Sequence, residues 1–192
     1  MKRDLLLMTA PVRDSFDIPC HEIGPKAPHP AAAFVAGLHG DELNGIFILS
    51  RLADFLNSVE EGRHPGLKLK RKVLIIPAVN VLGINLRSRT WPFDKSDMNR
   101  MFPGNVSGET TQRIALAVLE ATKKADYRVD LHTAGTDFEE LPQVRLYSPS
   151  DEQREVACYF GLRAIMERSI SPVFTTTLMH AWQVWPGQSF LL

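Results

Sequence analysis

Short apolar runs alternate along the chain with segments in which apolar residues recur at helical spacing. Continuous apolar runs of strand length lie at residues 31–38, 73–79, 127–132 and 144–147, and a last one begins at residue 189. Helical spacing of apolar residues is found over 42–59, 109–124 and 150–169. Pro77 should end regular pairing in the second strand, because proline has no amide hydrogen to donate. The alternation predicts an α/β fold, with a mixed, mostly parallel sheet flanked by helices.

Two segments lack either pattern and are predicted to be irregular. The N-terminal segment ends at a group of three prolines, Pro25, Pro28 and Pro30. Residues 80–108 contain several glycines and prolines beside a cluster of arginine, aspartate and asparagine. Long irregular loops in compact domains usually carry function, so residues 80–108 are candidates for a binding or catalytic role.

The bulk properties are those of a soluble globular protein. With 192 residues the chain is long enough for one domain and short for two, so we predict a single domain, 1–192. Acidic and basic residues both number 22, giving a formal net charge of zero. A neutral chain has no broad field to attract nucleic acid or an anionic membrane, so we expect neither as a partner and any anion binding must be local.

The cysteines and the N-terminus indicate a cytoplasmic protein. Cys20 and Cys158 are far apart and fit neither a disulfide framework nor a paired-cysteine metal site. The apolar run after Lys2 and Arg3 is too short for a signal peptide, and no later run reaches membrane-spanning length.

Three residues could hold a metal ion. His39 and Glu42 follow the first predicted strand, and His132 ends the third. Two histidines and one carboxylate suit zinc and leave one coordination position open, as in catalytic sites. His39 and Glu42 alone are more often a helix-capping arrangement, and His132 at a second strand end favours the metal site.

The loop between these residues contains a potential anion clamp. Asn99 and Arg100 are adjacent, and Arg87 and Arg89 precede them. An arginine presents a planar fork to a carboxylate, and asparagine adds a directional hydrogen bond, so the pair suits an acidic substrate group. The alternative is a solvated loop with surface arginines.

In combination, the motifs HGDE, DMNRMFPG and DLHTAG, in that order, resemble the succinylglutamate desuccinylase/aspartoacylase family, which belongs with the zinc carboxypeptidases of the M14 type. The resemblance implies a mixed sheet of about eight strands. It also implies one Zn²⁺ per chain, held by His39, Glu42 and His132.

The same resemblance implies roles for four loop residues. Asn99 and Arg100 match the contacts to a substrate carboxylate. Arg89 matches a further anion-binding or carbonyl-polarising arginine, with Arg87 two residues away. Asp97 matches the acidic residue that hydrogen-bonds a zinc-ligand histidine and fixes the ring's tautomer.

The implied activity is zinc-dependent deacylation. The family hydrolyses carbon–nitrogen bonds other than peptide bonds, so the expected substrate is a small acidic N-acylated amino acid or related amide. A carboxypeptidase acting on peptides is an alternative, since the same ligands and clamp serve both reactions. The oligomeric state stays open, a homo-oligomer included.

One part of the family pattern has no match. The family's general-base glutamate lies at the end of a later strand in a Glu-x-Gly motif, and the catalytic base is therefore unknown here. The glutamates after the third motif fall in a turn or on the last predicted helix: Glu139, Glu140, Glu152, Glu155 and Glu167. The chain ends within an apolar segment, so we expect the catalytic domain to be incomplete at its C-terminus. A non-catalytic zinc-binding or anion-binding module is the second alternative.

Aromatic residues near the C-terminus could form a pocket wall. His180, Trp182 and Trp185 lie in this stretch. Aromatic residues beside an apolar strand more often belong to the core, and this is the preferred interpretation.

Overall fold

The computed structural model describes residues 2–9, 15–135, 138–170 and 175–192. Within these ranges one sheet contains the strands β1 Lys2–Thr9, β2 Ser15–Ile23, β3 Ala32–Ala36, β4 Val73–Ile76, β5 Tyr127–Leu131, β6 Gln143–Tyr147, β7 Ala164–Arg168 and β8 Gln188–Leu191. The described helices are α1 Leu43–Glu60, α2 Val81–Asn85, α3 Thr110–Thr122, α4 Asp151–Cys158 and α5 Leu178–Gln183, with a 3-10 helix at Met98–Arg100. The predicted α/β class is confirmed.

The sheet is mixed, and its centre is parallel. Its strand order is β1-β2-β4-β3-β5-β8-β6-β7. The pairs β4–β3, β3–β5, β5–β8 and β6–β7 are parallel. The pairs β1–β2, β2–β4 and β6–β8 are antiparallel. Because β3 and β5 are parallel neighbours, their carboxyl ends meet at one edge of the sheet.

Helices cover both faces of the central strands. Val35 and Ile76 pack into a core cluster with residues of α3 and α5, whereas Ala36 and Ile75 pack into a second cluster with residues of α1. Burial on both faces explains why β3 and β4 have continuous apolar sequences rather than alternating ones.

The prediction of an irregular N-terminal segment was wrong. β1 and β2 form an antiparallel pair at the edge of the sheet, with an irregular register between Asp4 and Leu6. Pro19 lies within β2, and the buried residues Ile18 and Cys20 are interspersed with polar ones. These interruptions hid the strand from a search for continuous apolar runs.

The predicted helix over 150–169 was also wrong in its second half. α4 ends at Cys158, and Gly161 adopts a φ of 65°, a left-handed conformation that stops a helix. The chain then forms β7, which pairs with β6. Glu167 therefore lies on a strand, where its carboxylate binds Arg154 of α4.

The loop predicted over 80–108 contains two short helices, α2 and the 3-10 helix, joined by irregular chain. None of the helices in the described ranges combines the length and apolarity needed to cross a lipid bilayer.

Candidate metal centre and binding cavity

The three predicted metal ligands meet at the carboxyl edge of the sheet. His39 lies in the turn after β3, Glu42 directly precedes α1, and His132 follows β5. Gly37 begins the turn with a φ of 67°, which suits glycine because it has no Cβ. One donor atom from each of His39, Glu42 and His132 lies within 4.8 Å of the others, so together they form a candidate metal centre.

Glu42 is the central residue of this group. Its Oε1 lies 2.7 Å from Nδ1 of His39, and its Oε2 lies 2.9 Å from Nδ1 of His132. The backbone amide of Thr133 also donates to Oε2, at 3.0 Å. His39 and Glu42 are buried, with 3% and 4% of their surface exposed. The two Nδ1 atoms therefore face the same carboxylate inside the protein.

The opposite nitrogen of each imidazole is held by another carboxylate. Nε2 of His39 lies 3.0 Å from Oδ1 of Asp97, as the family resemblance implied. Nε2 of His132 lies 2.9 Å from Oδ2 of Asp130, which is fully buried. A carboxylate at Nε2 favours a proton there and leaves the Nδ1 lone pair for a metal.

Sequence reasoning missed Asp130. Its contact with His132 could have been predicted from the motif DLHTAG, in which Asp130 precedes His132 by two residues. Residues two apart on an extended segment point to the same side of a sheet. A charged residue inside the otherwise apolar strand β5 was the available indication.

The carboxylates favour positive charge on the imidazoles. Burial alone would lower the pKa of His132, but the charge of Asp130 and hydrogen bonds to Asp130 and Glu42 raise it to about 10. Burial would likewise lower the pKa of His39, and hydrogen bonds to Asp97 and Glu42 raise it. The site is therefore electrostatically suited to a cation.

The same contacts stabilise the charged carboxylates. Burial would raise the pKa of Glu42, yet hydrogen bonds with His132 and His39 bring it well below its usual range. For Asp97 the hydrogen bond and charge of His39 outweigh burial and lower the pKa to about 2. Both side chains are thus ionised at neutral pH.

Arg89, and not Arg87, contacts this group. Nη1 of Arg89 donates to Oε1 of Glu42 at 3.1 Å, and Nη2 lies 3.6 Å from Oδ2 of Asp97. Arg87 is exposed on the α2 turn and does not line the cavity beside the metal centre. Of these two arginines, Arg89 is therefore the one placed beside the candidate metal centre.

The turn between the ligands is packed tightly against α2. The amide of Gly40 donates to the carbonyl of Ser88 at 3.1 Å, and a Cβ on Gly40 would overlap the backbone of Gly83 and Ile84. Glycine is required here for close approach. This contact joins the segment carrying His39 to the segment carrying Arg89.

Asn99 and Arg100 line the cavity beside the metal centre. Asn99 is buried, and its Oδ1 accepts a hydrogen bond from the amide of Leu178 at 2.9 Å. This contact fixes the side chain and leaves its amide nitrogen as the group that can donate to a ligand. Nη1 of Arg100 donates to the carbonyl of Asn99 at 2.9 Å.

The cavity has a volume of about 320 Å³ and is rich in arginine. Beyond Arg89 and Arg100, its cationic lining includes Arg145 and Arg168, which sequence reasoning did not identify. His180 also lines it, whereas Trp182 is fully buried in the core, as expected for this stretch. The chain is neutral as a whole, but this cavity concentrates positive charge.

A second cavity, of about 610 Å³, adjoins the first along a shared wall that includes His132, Glu140 and Arg145. Its wall is largely apolar and includes Ile48 of α1 with Phe160 and Leu162 from the segment between α4 and β7. It contains neither Arg100 nor any residue of α5.

Comparisons with known proteins agree with this geometry. Residues 28–181 match the Succinylglutamate desuccinylase/Aspartoacylase catalytic domain. The N-alpha-acetyl-L-2,4-diaminobutyric acid deacetylase of Halomonas elongata is 28% identical over 136 residues, which cover 70% of this chain and 37% of that protein.

Two solved structures share the fold. A succinylglutamate desuccinylase/aspartoacylase from Rhodobacter sphaeroides superposes with a TM-score of 0.69 at 25% identity, covering 92% of this chain and 51% of the other. An aspartoacylase family protein from Mesorhizobium loti gives a TM-score of 0.76 at 22% identity, covering 100% and 60%. The chain thus spans between about a third and two thirds of the length of these relatives. Because residues 28–181 match the family's catalytic domain, the chain belongs to the succinylglutamate desuccinylase/aspartoacylase family.

Proposed function

We propose that this chain carries the zinc site of an amide hydrolase that removes the acyl group from a small N-acylated amino acid. One observation carries the proposal: the Nδ1 atoms of His39 and His132 both face Glu42, while both Nε2 atoms are held by carboxylates. Membership of a deacylase family and the deacetylase relative support hydrolysis of an amide bond.

The donor set fits zinc. Two imidazole nitrogens and one carboxylate oxygen are the ligands of several catalytic zinc sites, and the anchored Nε2 atoms are typical of such sites. When bound, zinc would supply Lewis-acid chemistry, which acidifies water and polarises a carbonyl group.

The surrounding residues would bind and orient the substrate. Arg89, which already contacts the ligand Glu42, would lie beside the reacting carbonyl and offset negative charge that develops on its oxygen. Asn99 and Arg100 would hold the substrate carboxylate through one amide donor and one guanidinium. Asp97 and Asp130 would keep the two imidazoles in one orientation and tautomer.

The proton-transferring base is not assigned. Among the described residues, the carboxylates that line the cavity are Glu42, which belongs to the metal centre, and Glu140. Glu140 is bound to Arg145 at 3.0 Å, so an ion pair already occupies its carboxylate. We also propose that the protein is cytoplasmic. The free thiols of Cys20 and Cys158 are consistent with a reducing compartment.

Zinc stoichiometry and amine release test the proposal. The protein, dialysed and reloaded, should hold about one zinc per chain, and it should release amine from N-acetyl amino acids in preference to short peptides. His132→Ala should abolish tight zinc binding. His180→Ala is the matched control, because this histidine lines the same cavity outside the donor group, and it should keep its zinc. Absence of zinc affinity in the unmodified protein would overturn the proposal.

A further inference from the structure

The second cavity follows one edge of the sheet away from the metal centre. Its wall includes Leu131 at the end of β5, Leu192 directly after β8, and Leu162 just before β7. Because β6 is antiparallel to β8 and parallel to β7, the carboxyl ends of β5 and β8 share this edge with the amino ends of β6 and β7. Three steps between neighbouring strands, of about 4.8 Å each, give the edge a length of about 14 Å.

The floor of this cavity is part of the hydrophobic core. Leu131 is buried, and Phe160 and Leu162 pack against the core cluster that contains it. The centroid of the Phe160 ring lies 5.2 Å from that of Phe190. The larger apolar side chains of the wall are Ile48, Leu131, Phe138, Leu141, Pro142, Phe160, Leu162 and Leu192. A hydrocarbon chain in this cavity would therefore contact side chains that the core already holds in place.

Three apolar side chains of the wall are largely exposed to solvent. Ile48, Phe138 and Leu141 expose 52%, 78% and 53% of their surface. Exposed apolar groups around a cavity are typical of binding sites, because a bound apolar ligand removes them from water. The burial of these side chains would favour a hydrocarbon ligand over a polar one.

The charges of the wall disfavour an anionic ligand. Among the described residues of this wall, Arg145 is the one arginine or lysine, and its guanidinium binds Glu140 at 3.0 Å. Glu139 adds a second carboxylate. A carboxylate that entered this cavity would meet like charges, which lowers affinity. The first cavity, with four arginines in its wall, has the opposite character.

The two cavities meet at the metal centre. His132, Thr133 and Ala134 line both of them. The proposed clamp, Asn99 and Arg100, lines only the first. When the clamp holds the amino-acid half of the substrate and the scissile carbonyl lies at the metal centre, the acyl group extends past His132 toward the second cavity.

We propose that the second cavity binds the acyl group of the substrate, and that this group is an uncharged hydrocarbon chain longer than acetyl. The inference rests on the proposed function and adds the class of acyl group to it. An extended chain advances about 1.2 Å per bond, so a hexanoyl chain reaches about 6 Å and fits within the length of this edge. The apolar floor supplies the affinity, and the two glutamates exclude acyl groups that end in a carboxylate.

The test varies the acyl group and keeps the amino-acid half constant. The ligands are N-acetylglycine, N-butyrylglycine, N-hexanoylglycine and N-succinylglycine, which has a carboxylate where N-butyrylglycine has a methyl group. Dissociation constants are measured by ligand-observed NMR titration of the zinc-loaded protein and of its variants Ile48→Ser and Phe47→Ser. Phe47 is the neighbouring residue of α1, exposes 68% of its surface and lines neither cavity, so Phe47→Ser is the matched control. Melting temperatures show whether both variants fold.

Affinity should rise about threefold for each methylene that the cavity buries, so N-hexanoylglycine should bind about fiftyfold or more tightly than N-acetylglycine. N-butyrylglycine should bind more tightly than N-succinylglycine by about tenfold or more, because the added carboxylate faces the glutamates. Ile48→Ser should lower the preference for N-hexanoylglycine by about fivefold, since the wall loses apolar surface. Phe47→Ser should leave this preference unchanged.

Three results would each overturn the inference: affinity that does not depend on chain length, tighter binding of N-succinylglycine than of N-butyrylglycine, and an unchanged preference in Ile48→Ser. If a second copy of this chain occupies the cavity instead, sedimentation should show a dimer that Ile48→Ser dissociates, and chain length should have no effect. The same spectra report free glycine. Absence of hydrolysis would count against the proposed function alone, because the dissociation constants do not depend on turnover.

Discussion

Replacing Gly40 with alanine should damage both the fold and the candidate metal centre. The added Cβ would overlap the carbonyl carbon of Gly83 and lie 2.5 Å from the amide nitrogen of Ile84 and from the carbonyl oxygen of Ser88. Carbon atoms pack best at about 3.5–4.0 Å, so the overlap exceeds an ångström. The neighbours are backbone atoms, and no side-chain rotation can relieve the contact.

The expected loss is at the upper end of the range for overpacking. Inserting a methylene into a packed site typically costs about 1–3 kcal/mol. Because the α2 backbone must move, we expect the free energy of unfolding to fall by about 3 kcal/mol or more. The same movement would separate Gly40 from Ser88 and draw Arg89 away from Glu42, so zinc affinity should fall as well.

Urea unfolding with a matched glycine control measures this effect. Gly66 has a φ of 87°, and among the described residues no heavy atom beyond its two chain neighbours lies within 4 Å of the position that an added methyl group would take. Gly66→Ala therefore carries only the backbone cost, about 1–2 kcal/mol. The midpoint for Gly40→Ala should fall well below that for Gly66→Ala, with similar denaturant slopes. Equal stability of the two variants would refute the close-approach reasoning.

Two further predictions follow from buried hydrogen bonds. Zinc binding near pH 8 should release at least one proton, because the pKa of His132 is about 10 and the ring must lose a proton to coordinate, so affinity should rise with pH. Asp130→Asn should reduce this proton release by lowering the pKa of His132. Calorimetry in buffers of different ionisation enthalpy measures the number of protons released. Unchanged release in Asp130→Asn would contradict the role given to Asp130. Trp182→Phe should lower the free energy of unfolding by about 1–3 kcal/mol, because Nε1 of the buried Trp182 donates to Thr122 at 2.8 Å. Trp185 is only partly buried, so Trp185→Phe should lower the free energy of unfolding by less, as measured by urea unfolding. A larger loss for Trp185→Phe than for Trp182→Phe would argue against this hydrogen bond.

The sequence predicted the parts of the site that depend on strand ends. His39 and His132 each follow an apolar strand, and parallel neighbouring strands bring such ends together, so their convergence with Glu42 was predictable. The family resemblance predicted that Asp97 contacts a histidine of the metal centre. In the structure Oδ1 of Asp97 lies 3.0 Å from Nε2 of His39.

Other features depend on pairings that a local pattern does not contain. β7 resembled a continuation of α4, and only its pairing with β6 makes it a strand. Arg145 and Arg168 are distant in sequence, and the register of those two strands brings them to one face. β1 is the outermost strand and β2 its neighbour, and their polar residues and Pro19 leave no continuous apolar run to mark them.

Diffraction at the zinc absorption edge is the most direct test of the proposed metal centre. Crystals of the zinc-loaded protein should show an anomalous peak at coordination distance, about 2.0–2.2 Å, from Nδ1 of His39, Nδ1 of His132 and a carboxylate oxygen of Glu42. A peak at other residues, or coordination through Nε2 of either histidine, would contradict the account.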